Sequence, residues 1–248
     1  RRFLRQRFGT VYLSFAKPIS LRDTLGDRRS RLSEGVNDSA VEEEKRRFVQ
    51  KLGFKILRDV NDCSVAGATS ISATVLLSGP HRGTRYEDYA RLANALARLI
   101  KAQGVKTTAS LDRNIGDFRE SLDFLAKSGL IDRIRRGSDE IVVVRENKRL
   151  ALDFYKNNVI HAFVLPSLVC SALLEQKHGD AMIEEVQRWL DVFRYEFALP
   201  DRHELGRHIE TAIARLRDLD ALRADEIDPA SPVVIATVGA LDVFREAY

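Results

Sequence analysis

Histidine is the side chain best suited to take a proton from a hydroxyl nucleophile near neutral pH, and the sequence contains five. His81 follows Gly-Pro in a predicted turn, and His178 lies in a predicted loop before a helix. His203 and His208 flank the start of a predicted helix, where neither the i,i+4 spacing of metal-binding histidines nor a carboxylate ligand set is present. We expect these four histidines at the surface, and we assign no catalytic residue and no metal ligand.

The fifth histidine, His161, lies within the longest nearly uncharged run, residues 159–174. Asn157 and Asn158 precede this predicted helix, and an Asn side chain there can accept hydrogen bonds from its first free backbone N–H groups. His161 follows them by four and three positions and shares their helical face. Pro166 removes a backbone donor and should bend the helix. We interpret Asn157, Asn158 and His161 as a buried structural junction, not a catalytic centre.

Composition excludes two broad classes of protein. Of the 248 residues, 44% are hydrophobic and 31% are charged, which indicates a folded chain, neither disordered nor built to span a membrane. The run at 159–174 falls short of the roughly 20 apolar residues of a bilayer span, so we expect a buried or interfacial helix. Cys63 and Cys170 have no metal-ligand spacing, and we expect two free thiols.

The net charge of +4 is unevenly distributed. Residues 1–58 hold 15 Lys and Arg against 7 Asp and Glu, a surplus of 8 positive charges. Such a surplus suits the phosphates of a nucleic acid, an anionic membrane surface or a phosphorylated substrate. A solvated basic face is the alternative interpretation.

Hydrophobic periodicity predicts the elements that position these residues. Thr10–Phe15 is β-branched and aromatic and predicts a short strand, whereas residues 26–44 show no apolar period and predict a mobile loop. A helix follows with apolar residues every four positions from Phe48 to Val60. Residues 65–77 are mostly small and predict a closely packed, buried helix.

The remainder is predicted to be mainly helical. Residues 84–144 indicate helix, helix and a β-hairpin near 131–144, which is the pattern of a winged helix. After the hairpin the predicted helices are 147–156, 158–176, 180–197, 201–222 and 233–248. The predicted fold class is mainly α (α+β), a helical C-terminal domain with a short N-terminal strand and a winged-helix-like hairpin.

Four segments of the sequence are similar to segments of a known family and occur in the same order. Residues 9–21 read G-T-V-Y-L-S-F-A-K-P-I-S-L and are similar to G-x-V-Y-V-x-F-G-E-P-I-S-L; residues 60–77 are similar to an I-N segment with a T-A-L-L ending. Residues 154–168, F-Y-K-N-N-V-I-H-A-F-V-L-P-S-L, are similar to Y-Y-R-N-N-x-x-H-x-x-x-L-P-S-L, and residues 193–197 to L-K-x-E-F/L-F. The chain thus resembles the C-terminal region of the glycerol-3-phosphate acyltransferases, a bacterial membrane-associated family with mitochondrial and peroxisomal relatives.

The resemblance implies transfer of an acyl group from acyl-CoA or acyl-carrier protein to the first hydroxyl of glycerol 3-phosphate, in phospholipid synthesis. It implies a peripheral protein at the cytoplasmic face of the cell membrane, with no metal and no bound cofactor. The family's catalytic motif pairs a His with an Asp five positions later. In this sequence the residues five positions after each His are Tyr86, Pro166, Ile183, His208 and Ile213. The motif is absent, so we expect the chain to be inactive alone, and we assign no substrate-binding residue.

The resemblance also implies an organisation and a set of partners. Residues 1–25 would end an upstream acyltransferase domain, 26–47 would form a mobile linker and 48–248 a helical C-terminal domain. The expected partners are the protein's own N-terminal catalytic domain, an anionic membrane surface, glycerol 3-phosphate and the acyl donor, but no nucleic acid.

Two other functions stay open, a winged-helix nucleic-acid-binding regulator and a purely structural helical scaffold. Against the regulator, residues 118–127 carry two cations and two carboxylates, a poor balance for facing phosphates.

Overall fold

The computed structural model describes residues 12–33, 39–79, 83–113, 115–197, 202–223 and 226–245. The chain divides into two compact units, residues 1–65 and 66–248. The domain boundaries predicted after residues 25 and 47 stay predictions.

The described residues of the first unit contain three helices, α1 (Leu21–Leu25), α2 (Arg28–Ser33) and α3 (Ser39–Cys63). The Ser20 hydroxyl accepts a hydrogen bond from the Asp23 N–H at 3.2 Å and so caps α1. The predicted strand is wrong for residues 12–15, which have no regular secondary structure, and Thr10 and Val11 lie outside the described residues. A strand needs a pairing partner, and no described strand pairs with residues 12–15.

The predicted loop at residues 26–44 is wrong over most of its described part, which α2 and the start of α3 occupy; Glu34 to Asp38 lie outside the described residues. Charged residues lack an apolar period, but they form helix-stabilising pairs along one face. Lys45 Nζ lies 2.8 Å from Glu42, and Arg47 Nε lies 3.0 Å from Glu43. The helix predicted around Phe48–Val60 is confirmed within α3.

The second unit is built around helix α4 (Ala68–Ser78), in which residues 70–77 are all buried. This confirms the buried helix predicted from small residues. It packs against helices α5 (Tyr86–Ala102), α7 (Arg119–Lys127), α8 (Arg149–Asn157) and α12 (Pro232–Arg245). The short strand β1 (Val65–Ala66) precedes it, and the Ala66 carbonyl accepts a hydrogen bond from the Thr108 N–H at 3.0 Å.

Residues 84–144 contain the predicted helix, helix and hairpin, and a third strand joins the hairpin. Strand β2 (Thr84–Arg85) precedes α5, and strand β3 (Lys106–Thr107) with helix α6 (Ala109–Arg113) precedes α7. The predicted hairpin is confirmed: β4 (Ile131–Arg136) pairs antiparallel with β5 (Asp139–Val144), and β2 adds to the other edge of β5. Gly137 turns the hairpin at a φ of 62°.

Helices α9 (Val164–Leu174), α10 (Gly179–Val192) and α11 (Leu205–Asp218) complete the unit with α12 and the short pair β6 (Leu222–Arg223) and β7 (Glu226–Ile227). Five helices occur where the C-terminal helices are predicted, but two predicted ranges are too long. A 3₁₀ turn at Ile160–Ala162 divides the predicted helix 158–176, and the predicted helix 201–222 ends at Asp218, before β6. Further one-turn 3₁₀ helices lie at Glu146–Lys148, Phe193–Tyr195 and Arg202–Glu204. Helix α9 is almost wholly buried and packs against α10, α11 and α12. Within the described residues, no helix is both long and apolar enough to cross a bilayer.

Both cysteines are free, as predicted. Cys170 is fully buried in α9, and this burial raises the pKa of its thiol to about 12. Cys63 is half-buried at the end of α3.

Candidate functional site

The predicted junction lies where α8 gives way to α9. Helix α8 ends at Asn157, and Asn158 caps its C-terminus, with its side-chain amide donating to the Phe154 carbonyl at 3.2 Å. The 3₁₀ turn with His161 follows, and α9 begins at Val164. Asn158 therefore does not cap the start of the apolar helix, because a separate turn intervenes.

The three junction residues differ in exposure. Asn157 and Asn158 are exposed, and His161 is half-buried. The expectation that both Asn side chains are buried is therefore wrong, since they lie on the solvent side of the last turn of α8. The structural role assigned to the three residues stays a prediction.

Pro166 does not break α9. It is the third residue of the helix, within the first turn, where backbone N–H groups have no partner inside the helix. The expected bend at Pro166 is therefore wrong. The turn is closed instead by the Ser167 N–H, which donates to the Phe163 carbonyl at 2.9 Å.

The least expected feature of this region is a buried charge. Lys156 is 3% exposed, and its Nζ lies 2.8 Å from Oδ1 of Asp153, one turn earlier on α8. Sequence reasoning passed over Lys156, although a signal was present. Leu152, Lys156 and Val159 recur at helical spacing, and all three are buried. The ion pair therefore stands on the core-facing side of α8.

A cluster of hydroxyl groups joins three helices inside the second unit. Ser72 Oγ of α4 lies 2.6 Å from Tyr89 Oη of α5 and 2.6 Å from Ser121 Oγ of α7. Ser72 also donates to the Ala68 carbonyl, and Ser121 to the Phe118 carbonyl. Each of these hydroxyls supplies only one proton, so the backbone carbonyls and the neighbouring hydroxyls share the three protons, and either oxygen of the Ser72–Tyr89 and Ser72–Ser121 pairs can be the donor. Burial raises the pKa of Tyr89 to about 12, so the phenol keeps its own proton.

A cleft of about 400 Å³ opens between the hairpin and the N-terminal ends of α5 and α7. Its charged lining consists of Arg85, Arg119, Arg135, Glu87, Asp139 and Glu140. The charges balance, and the arginines are paired. Arg85 lies 3.0 Å from Asp139, and Arg119 lies 3.7 Å from Glu140.

Two further contacts involve residues that line this cleft. The Arg119 guanidinium stacks over the Tyr86 ring at 4.1 Å from its centroid. Arg133 hydrogen-bonds Glu140 and holds the pKa of that carboxyl below its usual range. The charged lining thus holds as many carboxylates as arginines, a poor balance for facing phosphates, which weakens the nucleic-acid interpretation of the helix–helix–hairpin pattern.

The described histidines do not lie together in a catalytic arrangement. His178 precedes α10, and His203 lies in the 3₁₀ turn before α11. His208 Nε2 on α11 is 3.8 Å from Glu204 in that 3₁₀ turn. His81 lies outside the described residues. No group of three potential metal ligands occurs among the residues that the structure describes.

Comparison with known proteins identifies the family of this chain. The model of the glycerol-3-phosphate acyltransferase C-terminal region matches residues 1–236. A glycerol-3-phosphate acyltransferase from Shewanella amazonensis is 23% identical over 188 residues, which cover 75% of this chain and 23% of the relative. The chain thus spans about a quarter of the length of that curated relative. The order of the four sequence segments and the match over residues 1–236 lead to one conclusion: this chain belongs to the family of glycerol-3-phosphate acyltransferase C-terminal regions.

Proposed function

We propose that the chain is the non-catalytic C-terminal part of a glycerol-3-phosphate 1-O-acyltransferase. The whole protein transfers an acyl group from acyl-CoA or acyl-carrier protein to glycerol 3-phosphate in phospholipid synthesis. The family match over residues 1–236 carries this proposal. The name of the Shewanella relative supports the reaction, and the absence of a His followed five positions later by Asp supports the non-catalytic role.

In this proposal the partner of the chain is an N-terminal catalytic domain of the same protein, and the substrates are glycerol 3-phosphate and the acyl donor. The reaction needs no metal or bound cofactor, because a His–Asp pair in the catalytic domain activates the acceptor hydroxyl. The protein works at the cytoplasmic face of the cell membrane as a peripheral protein. The basic surplus of residues 1–58 supports an anionic surface as the contact.

The test compares the purified 248-residue chain with a longer protein in which a His–Asp acyltransferase domain precedes it. Both are incubated with labelled glycerol 3-phosphate and either acyl-CoA or acyl-carrier protein, and labelled lysophosphatidate is counted. We expect product from the longer protein only. Acyl transfer by the 248-residue chain would overturn the non-catalytic role, and no transfer by the longer protein would overturn the proposed reaction.

The junction residues Asn157, Asn158 and His161 are proposed to act on stability, not on chemistry. In the longer protein we expect His161→Ala to lower the melting temperature while turnover per folded molecule stays unchanged, because a partly buried polar side chain is lost. An unchanged melting temperature with abolished turnover would assign His161 to the reaction.

A further inference from the structure

Helix α3 is the longest helix among the described residues, and none of its residues is buried. Val49, Ile56 and Val60 lie within about 40° of one another around the helix axis, and Leu57 lies beside them. These four side chains are 65%, 46%, 58% and 56% exposed, respectively. They form an uncovered stripe that runs along three turns, and we call Val49, Ile56, Leu57 and Val60 the apolar stripe.

One flank of α3 has neighbours in its own unit. Lys55, Asp59 and Cys63 line a pocket together with residues 15–20. By helical spacing, these three residues lie on the flank next to Ile56, whereas Leu57 lies on the other side of the stripe. The pocket therefore borders the stripe on one side only, and the side chains of the stripe stay exposed beside it.

The charges from residue 45 to residue 58 are all of one sign. Between residues 45 and 58 the sequence holds six cations and no carboxylate: Lys45, Arg46, Arg47, Lys51, Lys55 and Arg58. The ion pairs of Lys45, Arg47 and Lys55 reach carboxylates outside this stretch, on Glu42, Glu43 and Asp59. Such exposed pairs hold the cations weakly, so they remain available to a stronger anionic surface.

The combination of stripe and cations points to one class of partner. A helix whose apolar face stays in water gains little from packing, so α3 needs a cover. Protein interfaces are depleted in lysine, whereas three lysines lie among the apolar residues of this stretch. Helices that lie in a membrane surface combine an apolar face with lysines and arginines that reach anionic headgroups.

We propose that residues 45–60 of α3 lie in the plane of an anionic lipid bilayer, with the apolar stripe inserted below the headgroups and the six cations at headgroup level. The inference rests on the peripheral membrane location proposed above and names the element responsible for it. It does not depend on acyl transfer.

The test measures binding of the 248-residue chain to vesicles of phosphatidylcholine with about 30% phosphatidylserine, and to pure phosphatidylcholine. One variant carries Val49→Gln, Ile56→Gln and Val60→Gln, which remove three of the four apolar side chains of the stripe but favour the helix. Its control is Leu150→Gln, because Leu150 is 83% exposed on α8 and lies outside the stripe. Circular dichroism checks that each variant keeps its helix content.

A second variant removes charge through Arg46→Gln, Arg47→Gln and Lys51→Gln. Its control removes the same charge elsewhere through Arg91→Gln, Arg135→Gln and Arg136→Gln, all exposed in the second unit. We expect each α3 variant to bind the anionic vesicles about tenfold or more weaker than the original chain, since each cation near the surface and each buried methylene adds to binding. We expect both controls to stay within about twofold.

Three outcomes would overturn the proposal. The original chain does not bind anionic vesicles, the α3 variants bind as well as the controls, or removal of the stripe dissociates a dimer in light scattering without changing vesicle binding. The last result would assign the stripe to a second copy of the chain. Vesicle binding is measured without substrates, so failure of the acyl-transfer proposal leaves this result unaffected.

Discussion

At the scale of single residues, buried hydroxyl groups in this protein fall into two kinds with opposite consequences for stability. Ser72 is shared by Tyr89 and Ser121 at 2.6 Å, whereas Ser167 in α9 is fully buried and its Oγ has no hydrogen-bond partner within the described structure. Removing a shared hydroxyl leaves other buried groups unsatisfied, whereas removing an unpaired one relieves a desolvation cost.

We therefore expect Ser72→Ala to lower the free energy of unfolding by about 1–3 kcal/mol. The matched change Ser167→Ala should leave it unchanged or raise it by up to about 1 kcal/mol, since alanine is also the better helix former. Urea denaturation followed by circular dichroism measures both. Equal destabilisation by the two changes would contradict this distinction.

The buried ion pair of α8 leads to a prediction about asymmetry. Lys156 is almost fully buried, whereas the Asp153 side chain is 31% exposed. In Asp153→Asn, the Lys156 ammonium group loses this carboxylate in a place that water hardly reaches. In Lys156→Met, the Asp153 carboxylate loses the ammonium group, but water partly solvates that carboxylate. We expect Asp153→Asn to lower the free energy of unfolding more than Lys156→Met does, by about 1 kcal/mol or more. Chemical denaturation of the two variants decides the order, and the reverse order would contradict it.

The residue scale is also where sequence reasoning failed most. The spacing of Asn157, Asn158 and His161 was interpreted as one helical face, but a 3₁₀ turn at Ile160–Ala162 separates α8 from α9. A one-turn change of helix type leaves no signal in hydrophobic periodicity. Lys156 was missed for another reason: a charged residue is expected outside, and only its carboxylate one turn earlier allows it inside.

At the scale of elements, hydrogen-bonded ion pairs of Glu185 join α10 to the loop that precedes it. Glu185 accepts hydrogen bonds from Arg188 on α10 and, at 2.6 Å, from Lys177 in the preceding loop. Arg188 first, and then Lys177, lowers the pKa of Glu185 to about 2. Because the folded-state pKa lies below the unfolded value of about 4.3, the stability from this carboxylate is present above that value. It is lost as pH falls through about 4 to 2.

We expect Glu185→Gln to lower the melting temperature at pH 7 and to reduce its loss between pH 5 and pH 2.5. The original chain and the variant should therefore converge in acid, as measured by thermal denaturation in a series of buffers. Glu184→Gln is the control, because Glu184 neighbours Glu185 and shows no such ion pair among the described contacts. A constant difference between the Glu185 variant and the original chain at every pH would contradict the assignment.

Elements were predicted well where the apolar pattern decides them. The buried helix α4, the hairpin of β4 and β5 and the five C-terminal helices follow from small-residue runs, alternation and helical spacing. The short strand at Thr10–Phe15 and the loop at 26–44 were predicted from composition alone, without a pairing partner or an apolar period. Charge pairs such as Lys45–Glu42 extend α3 beyond its apolar residues, and composition does not report them.

At the scale of the whole molecule, burial and charge divide at the same point in the chain. All described residues that form the hydrophobic core belong to 66–248, and no described residue of 12–65 is buried. Residues 1–65 hold 15 cations against 9 anions, and residues 66–248 hold 25 against 27. The first unit therefore combines positive charge with uncovered apolar side chains, whereas the second folds around its own core.

This division predicts how backbone amides exchange with deuterated water. Amides open locally with free energies that range from near zero in unpacked segments to the full unfolding free energy in the core. In solution we expect the amides of α3 to exchange fastest among the long helices, and those of α4 and α9 slowest, because α3 has no buried residue and the other two are almost wholly buried.

Anionic vesicles should change amide exchange in α3 but not in α4 or α9. If α3 lies in the bilayer surface, as proposed, exchange at residues 45–60 slows by about tenfold or more, because opening the helix there also costs its lipid contacts. Exchange in α4 and α9 should stay the same, since their cover is protein in both conditions. Hydrogen exchange with mass spectrometry, with pure phosphatidylcholine vesicles as the control, measures both regions at once. Equal slowing in α3, α4 and α9 would instead indicate a general stabilisation of the chain, and slowing with neutral vesicles would remove the role given to the six cations.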